Sequence, residues 1–157
     1  IAKNVAERDK LWAIRDDVNQ AIQLAPIWAF DVSLAINEME DYVNDVKNAL
    51  NERWSKNSLF TYGHLGDGNL HLLPSVGDGS DETKFAIEKI IYEGIRKRNG
   101  SISAEHGIGH HKTAWLSYTR TSVEIALMKK IKQTFDPQNI LNPGKIFGED
   151  TCTIVTE

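Results

Sequence analysis

The spacing of apolar residues along the chain predicts four amphipathic helices and four strands. Apolar side chains recur every three or four positions among charged ones over residues 5–24, 39–54, 85–95 and 123–135, which is typical of helices with one buried face. Short runs rich in β-branched and aromatic residues predict strands over residues 27–34, 58–64, 70–76 and 101–104. Pro26 ends the first helical pattern, and Gly100 follows the third.

The order of these elements predicts an α+β fold. After the first helix the chain reads strand, helix, strand, strand, helix, strand, which matches a split βαβ, ferredoxin-like unit. We therefore expect an antiparallel sheet with helices packed on one face, plus further helices at the C-terminal end. No repeat or low-complexity linker divides residues 1–157, so we expect a single domain. The chain begins at Ile1 within a helical pattern, which we interpret as a fragment of a longer protein.

Composition and charge narrow the classes of function. The 18 basic and 22 acidic side chains are spread along the chain and give a net charge of -4, so we expect no nucleic-acid partner. No apolar run approaches the roughly 20 residues of a membrane span. Cys152 is the one cysteine, which excludes a disulfide framework and favours a cytoplasmic location.

Two histidines flank the predicted hairpin between the second and third strands. If Asp67 and Gly68 form a two-residue turn, His64 lies directly opposite His71, because both pairs of numbers sum to 135. Directly opposed residues project from the same face with Cβ atoms about 4.5 to 5.5 Å apart, close enough for both imidazoles to bind one metal ion. The alternative is that both are surface or hydrogen-bonded histidines without a ligand.

A second group of polar residues follows the predicted strand over residues 101–104. Glu105 would complete a set of two histidines and one glutamate, which in zinc enzymes leaves a coordination position open. His106 points elsewhere from the strand end and would be free to act as a general base. His110 and His111 are weaker candidates, which we interpret as the solvent-facing start of the next helix.

Three ordered motifs resemble one family. These motifs are GHLGDGNLH at residues 63–71, SAEHGIG at residues 103–109 and DPQNILNPGK at residues 136–145. Together they are similar to the C-terminal domain of the FAD-linked oxidases, which include D-2-hydroxyglutarate dehydrogenase, D-lactate dehydrogenase and the flavin subunit of glycolate oxidase. LWAIR at residues 11–15 and DVSL at residues 31–34 extend the resemblance over nearly the whole chain.

The resemblance implies roles for individual residues. His64, His71 and Glu105 would bind a divalent metal, zinc in several members, and His106 would contact the substrate and take its hydroxyl proton. Arg15 would bind the substrate carboxylate through its planar guanidinium; otherwise it is an exposed helix arginine. FAD would be bound mainly by an N-terminal domain that does not lie within this chain.

Other positions in the family pattern concern substrate and flavin contacts. Asn19 stands where the hydroxyglutarate enzymes have a threonine, and we include it among the substrate-binding candidates. Ala29 and Leu73 replace a lysine and an asparagine, which favours a shorter or more apolar 2-hydroxy acid than hydroxyglutarate. Asn142, together with Lys145, would face the flavin or close the site, although the end of a helix before a Pro-Gly turn explains both almost as well.

The implied reaction is the oxidation of a 2-hydroxy acid to a 2-oxo acid by an FAD-dependent dehydrogenase. We expect the 157-residue chain to fold but to be inactive by itself. Two other functions remain open, a metal-dependent hydrolase that uses the same three ligands to activate water and a ferredoxin-like binding module without catalysis. The electron acceptor is open, and a homodimer is one of the open oligomeric states.

Overall fold

The structure, a computed structural model, describes residues 1–17 and 26–148. Short 3-10 turns at Ile36–Glu38, Leu65–Asp67 and Thr113–Tyr118 join or extend the longer elements. The helices and strands of the described residues are α1 (Val5–Asp16), β1 (Phe30–Ser33), α2 (Met39–Arg53), β2 (Ser58–His64), β3 (Asn69–Ser75), α3 (Asp81–Lys97) and α4 (Ser122–Phe135).

The three strands form an antiparallel sheet in the order β1-β3-β2. Because successive side chains of a strand point to opposite faces, the sheet separates two sets of residues. One face is apolar and packs against α2 and α3, as the α+β prediction requires. The buried cluster on that face includes Phe30, Val32, Leu70 and Leu72 from the strands, with Tyr42, Val46, Leu50, Ile87, Ile91 and Ile95 from the helices.

The opposite face of the sheet is largely polar. It carries the residues that alternate with the core positions and that pair with one another across the strands. Neither α2 nor α3 covers these residues, so the polar face is the side of the sheet where chemistry can occur. The paired residues on it are Asp31 with His71, Ser33 with Asn69, Tyr62 with His71, and His64 with Asn69.

The strand predicted over residues 101–104 is reduced to one bridge. Ser101 pairs with Ser33 at the free edge of β1, and their backbone N–H groups donate to each other's carbonyl oxygens at 3.0 and 2.7 Å. The pairing does not continue, because the Ser103 N–H donates to the Ser101 hydroxyl and the Ala104 N–H donates to the Asp31 carboxylate. With this bridge the strand order still agrees with the predicted ferredoxin-like arrangement.

The first and last helices present apolar residues to solvent. The prediction of a helix over residues 5–24 is confirmed for α1, and its remainder from residue 18 lies outside the described residues. Leu11 and Trp12 of α1 are each 53% exposed, and Leu127 of α4 is 59% exposed.

Across the described part of the chain, every helix is too short or too polar to cross a bilayer.

Candidate active site

The hairpin between β2 and β3 has a longer turn than the sequence predicts. His64 pairs with Asn69, and His71 pairs with Tyr62, so the predicted direct pairing of His64 with His71 is wrong by two residues. Four residues, 65–68, make the connection, because the Asp67 side chain accepts the N–H of Asn69 at 3.2 Å and Gly68 adopts a left-handed conformation with φ 71°. A Cβ at Gly68 would lie 2.5 Å from the Leu34 carbonyl oxygen, so only glycine fits there.

The two histidines nevertheless meet on the polar face. A shift of two residues preserves the side of the sheet, which makes His64 and His71 diagonal neighbours instead of opposed ones. Their ring centroids are 5.7 Å apart with the planes at 82°. His71 lies under the ring of Tyr62, at 4.9 Å between centroids, and its side chain is only 12% exposed, whereas that of His64 is 44% exposed.

Glu105 completes a three-residue cluster with these histidines. One carboxylate oxygen lies 3.2 Å from His64 Nε2, and the other lies 4.0 Å from His71 Nε2. One ligand atom from each residue can be chosen so that all lie within 4.8 Å of one another. Ligand atoms around a tetrahedral zinc ion are about 3.4 Å apart, given metal–ligand distances of roughly 2.1 Å. The donor types and their spacing therefore fit a zinc-like divalent cation.

Asn69 supports the cluster from within the protein. It is 2% exposed, and its Nδ2 donates to Glu105 Oε1 at 2.6 Å. Its Oδ1 has no hydrogen-bond partner among the described residues, although this atom is fully buried. Buried polar atoms without a partner are uncommon in folded proteins, and they are found where a site binds a ligand or water. The Asn69 side chain therefore contributes a polar group to the candidate site, in addition to its structural role in β3.

Asp31 organises the segment that carries Glu105 and His106. This carboxylate is 1% exposed on β1, and Oδ2 accepts the backbone N–H groups of Ala104, Glu105 and His106 at 2.9, 2.8 and 3.1 Å. Its Oδ1 lies 3.2 Å from Nδ1 of His106, whose side chain is 67% exposed. The His106 ring lies 6.2 Å from that of His71, so the three-residue cluster and His106 share one surface.

Lys112 balances the buried charge of Asp31. Its Nζ lies 2.5 Å from Asp31 Oδ1 and is itself largely buried. Burial by itself would raise the pKa of Asp31, but the Lys112 ammonium and the N–H groups of Glu105 and His106 outweigh it and hold that pKa well below the usual range. Asp31 is therefore an anion throughout the physiological range.

Comparison with known proteins places this arrangement in a family. The family model described as "FAD linked oxidases, C-terminal domain" matches residues 1–146. The chain belongs to this family. Two of the three motifs that carried the resemblance build the site, namely the β2–β3 hairpin and the loop that begins at Ser103.

Relatives of this FAD-linked oxidase chain include several D-2-hydroxyglutarate enzymes. It is 39% identical to the mitochondrial D-2-hydroxyglutarate dehydrogenase of Arabidopsis thaliana over 93% of the chain and 26% of that protein. It is 34% identical to the D-2-hydroxyglutarate dehydrogenase of Stutzerimonas stutzeri, over 94% of the chain and 33% of the relative. For the D-2-hydroxyglutarate–pyruvate transhydrogenase of Saccharomyces cerevisiae, identity is 38% over 92% of the chain and 31% of the relative. The chain thus spans between a quarter and a third of these relatives.

The structure describes only some of the remaining residues that the family pattern predicts for the site. Arg15 lies in α1, but its side chain is outside the described part, as is the whole of Asn19. Asn142 is exposed in a left-handed turn with φ 48°, where its carbonyl accepts the N–H of Lys145 at 3.3 Å. It lines an apolar groove beside Phe135 of α4, away from the histidine cluster. His110 and His111 are exposed in the turn before the Thr113–Tyr118 helix, as predicted.

Sequence reasoning missed three buried residues of the site, Asp31, Asn69 and Lys112. Asp31 had a detectable signal, because it is a charged residue between the core positions Phe30 and Val32 of a strand. Asn69 was assigned to the turn, whereas it is the first residue of β3. No local signal marks Lys112, since its burial depends on Asp31, which lies 81 positions away in the chain.

Proposed function

We propose that this chain is the substrate-binding part of an FAD-dependent dehydrogenase that oxidises a 2-hydroxy acid to a 2-oxo acid. The observation that carries the proposal is the common surface of the His64, His71 and Glu105 cluster and His106, in a chain that belongs to the FAD-linked oxidases. The names of the relatives, D-2-hydroxyglutarate dehydrogenases, support the reaction class. A hydrolase would use the same cluster without flavin, and family membership favours the dehydrogenase.

His64, His71 and Glu105 would hold the divalent metal, for which we propose zinc. Two neutral imidazoles and one carboxylate leave room in a zinc coordination sphere for the substrate hydroxyl and carboxylate oxygens. When bound, the ion supplies a Lewis acid that lowers the pKa of a coordinated hydroxyl group. The residues themselves fix where that hydroxyl lies, on the open side of the sheet next to the His106 ring.

His106 would remove the hydroxyl proton. Its exposed imidazole needs no conformational change to reach a substrate on the polar face, and a histidine suits proton transfer near neutral pH. As the hydroxyl proton passes to His106, the C2–H bond breaks and C2 becomes a carbonyl carbon. The flavin, when bound, supplies the acceptor for the hydride that leaves C2.

The substrate side chain would extend past His106 toward the segment before β1. A cleft at this edge is lined by Trp28, Ala29, Asp31 and His106, among other residues. Ala29 contributes no charge where the hydroxyglutarate enzymes would have a lysine, so we propose a shorter or more apolar 2-hydroxy acid. Binding of the substrate carboxylate by Arg15 and Asn19, the flavin contact of Asn142 and a cytoplasmic location remain predictions.

The full-length flavoprotein tests this function directly. Anaerobic addition of D-lactate, D-2-hydroxybutyrate or D-2-hydroxyglutarate should bleach the flavin absorbance, with a higher kcat/KM for one of the first two. Absence of bleaching by any 2-hydroxy acid, or hydrolytic turnover without flavin, would contradict the proposal.

Single substitutions separate the roles within the site. His64→Ala and Glu105→Gln should each lower the zinc content and the turnover, because each removes a ligand. His106→Gln should retain the metal and lose at least about 100-fold in kcat, as expected for removal of a general base. His110→Ala is the matched control, since His110 is exposed outside the cluster and should change neither quantity.

A further inference from the structure

Asp31 is a buried carboxylate at the site to which the proposed reaction assigns no role. It lies on the polar face of β1, directly across from His71 in the sheet register. Three consecutive backbone N–H groups and the Ser103 hydroxyl, at 3.2 Å, surround its Oδ2. These contacts hold the backbone of the loop that carries the base, and they leave Oδ1 for other partners.

The partners of Oδ1 are the ammonium group of Lys112 and the ring of His106. Lys112 also approaches the Asp31 carbonyl oxygen, at 3.3 Å, so it is held close to this one residue. His106 Nδ1 lies 3.2 Å from Oδ1, an ion-pair contact at the outer limit of hydrogen-bonding distances. The two nitrogens of an imidazole flank the same carbon, but their N–H or lone-pair directions diverge, so Nε2 does not point at the partner of Nδ1.

This geometry decides which nitrogen of His106 can accept a proton. A neutral imidazole carries one N–H, and a carboxylate at hydrogen-bonding distance from Nδ1 favours the tautomer with the proton there. Nε2 then has a free lone pair, on a side chain that is 67% exposed. A carboxylate that orients a catalytic histidine in this way acts through the histidine and does not itself take the proton.

We propose that Asp31 is a positioning residue that accepts the Nδ1–H of His106 and thereby presents Nε2 as the base toward the substrate hydroxyl. Lys112 balances the charge of Asp31, so the ring donates to an ion pair and not to an isolated buried anion. The inference rests on the proposed function, since it requires His106 to be the base. It adds a second residue, 75 positions away in the chain, to the proton-transfer step.

The first test compares Asp31→Asn with Ser103→Ala in the full-length flavoprotein. The asparagine keeps the shape of the side chain, but an amide NH₂ facing His106 would force the opposite tautomer. We expect kcat, measured as flavin reduction at saturating substrate, to fall between about 100- and 10,000-fold. KM and metal content should stay within about threefold. Ser103→Ala removes a hydroxyl that is shared between this carboxylate and the Gly107 carbonyl and does not contact the His106 ring, so its kcat should change only a few-fold.

Two outcomes of this comparison would overturn the inference. One is an Asp31→Asn protein whose kcat stays within threefold of wild type. The other is a loss of kcat matched by an equal loss of metal, which would make Asp31 a scaffold for Glu105 alone. If His106→Gln also keeps its turnover, the proposed function fails together with the inference; if only Asp31→Asn keeps it, the inference fails alone.

A second measurement does not depend on a folded Asp31 variant. Nitrogen-15 NMR of the full-length wild-type protein with labelled histidine distinguishes the two neutral tautomers, and His106→Gln assigns the resonance. We expect a protonated Nδ1 and an unprotonated Nε2 for His106 in the neutral form. The opposite pattern would overturn the role of Asp31, irrespective of whether the protein turns over any substrate.

Discussion

Asn69 links the hairpin to the glutamate of the proposed metal set. Its amide donates to Glu105 Oε1 while the rest of the side chain is buried. Residues that hydrogen-bond to metal ligands keep those ligands oriented, and their removal typically lowers metal affinity by about 10- to 100-fold. We therefore expect Asn69→Ala to weaken zinc binding by a factor in that range, measured by competition with a chelator of known affinity.

Asn57→Ala is the matched control for this substitution. Asn57 also makes side-chain hydrogen bonds, to Asn51 and to the Trp54 carbonyl, but none to the site. Its replacement should leave zinc affinity within about twofold of wild type. Circular dichroism should first show that both proteins are folded. Equal zinc affinities for Asn69→Ala and wild type would then show that the amide does not orient Glu105.

Residue types and spacing were enough to predict four of the residues that the structure brings together. Short motifs contain all four, namely His64, His71, Glu105 and His106. Residues that lie close together in the chain can be recognised as a possible site from the sequence. Asp31 could not be assigned in the same way, because its partners are Ala104, Glu105 and His106, more than 70 positions later. Contacts between distant segments depend on the fold, which the motifs do not contain.

At the scale of elements, one carboxylate binds the backbone of the segment that follows α4. Asp136 accepts the N–H groups of Ile140 and Leu141, each at 2.9 Å, and forms an ion pair with Lys132. The Lys132 ammonium first, and then these N–H groups, hold the pKa of Asp136 below its usual range despite burial, which raises it. Folding is thus favoured when Asp136 is ionised.

We expect the contribution of Asp136 to stability to be lost in acid. A carboxyl whose pKa is lowered in the folded state stabilises the protein above the unfolded pKa, about 3.9, and stops doing so as the pH falls through the folded value. In urea unfolding between pH 7 and pH 3, the gap in unfolding free energy between wild type and Asp136→Asn should be constant near neutrality and narrow below about pH 4. A gap that is independent of pH would show that the ionised form is not the stabilising one.

The contact between α2 and α3 depends on a glycine. A Cβ at Gly94 of α3 would lie 2.8 Å from Cε2 of Tyr42, which is fully buried and donates its hydroxyl proton to the Ile91 carbonyl at 3.1 Å. Gly94→Ala gains about 1 kcal/mol in helix propensity. The overpacking should cost more, so we expect a net loss of about 1 to 2 kcal/mol in unfolding free energy.

Gly66→Ala provides the comparison for chemical denaturation. No atom lies within 4 Å of a Cβ built at Gly66, so this variant should stay within about 0.5 kcal/mol of wild type. A Gly94→Ala protein as stable as Gly66→Ala would mean that Tyr42 can move aside at little cost.

Helices and strands were predictable where a local period marks them, and the turns were not. The patterns over residues 39–54 and 123–135 correspond to α2 and α4 to within a residue. The hairpin turn was predicted too short, since Asp67 and Gly68 suit both a two-residue turn and the end of a four-residue one. The strand over residues 101–104 was overestimated, because the N–H groups of Ser103 and Ala104 donate to the Ser101 hydroxyl and the Asp31 carboxylate and not to a neighbouring strand.

For the molecule as a whole, the proposed metal set joins parts of the chain that are far apart in sequence. Its ligands come from the hairpin and from the loop after Ser101, and both must be folded for the three donors to meet. A ligand that binds only the folded state stabilises it by about 2.7 kcal/mol when its free concentration is 100 times Kd. For a chain of this size that corresponds to a rise in Tm of roughly 5 to 10 °C.

We accordingly expect zinc to raise the Tm of the 157-residue chain by about 5 to 10 °C in differential scanning fluorimetry. The rise should disappear in His71→Ala and persist in His111→Ala, because His111 lies outside the cluster. An equal rise in both variants would locate the bound metal elsewhere.

The fold class was predictable from the order of elements, but the environment of each helix was not. Periodicity identifies the residues that share a face of a helix; it does not identify what covers that face. The apolar stripes of α1 and α4 have the same pattern as those of α2 and α3, yet Ile14 and Val123 are 76% and 77% exposed while Val46 is 1% exposed. A single domain over residues 1–157 remains a prediction.

The two faces of β3 have a practical consequence for engineering. Even-numbered residues such as Leu70 and Leu72 belong to the core, and odd-numbered residues such as Asn69 and His71 belong to the site. Mutant libraries restricted to the even-numbered positions of β3 would thus mainly vary stability. Libraries restricted to its odd-numbered positions would mainly vary the chemistry of the site. A one-residue deletion within the strand would exchange the two sets, whereas the loss or gain of two residues in the hairpin loop would keep every side chain on its own side.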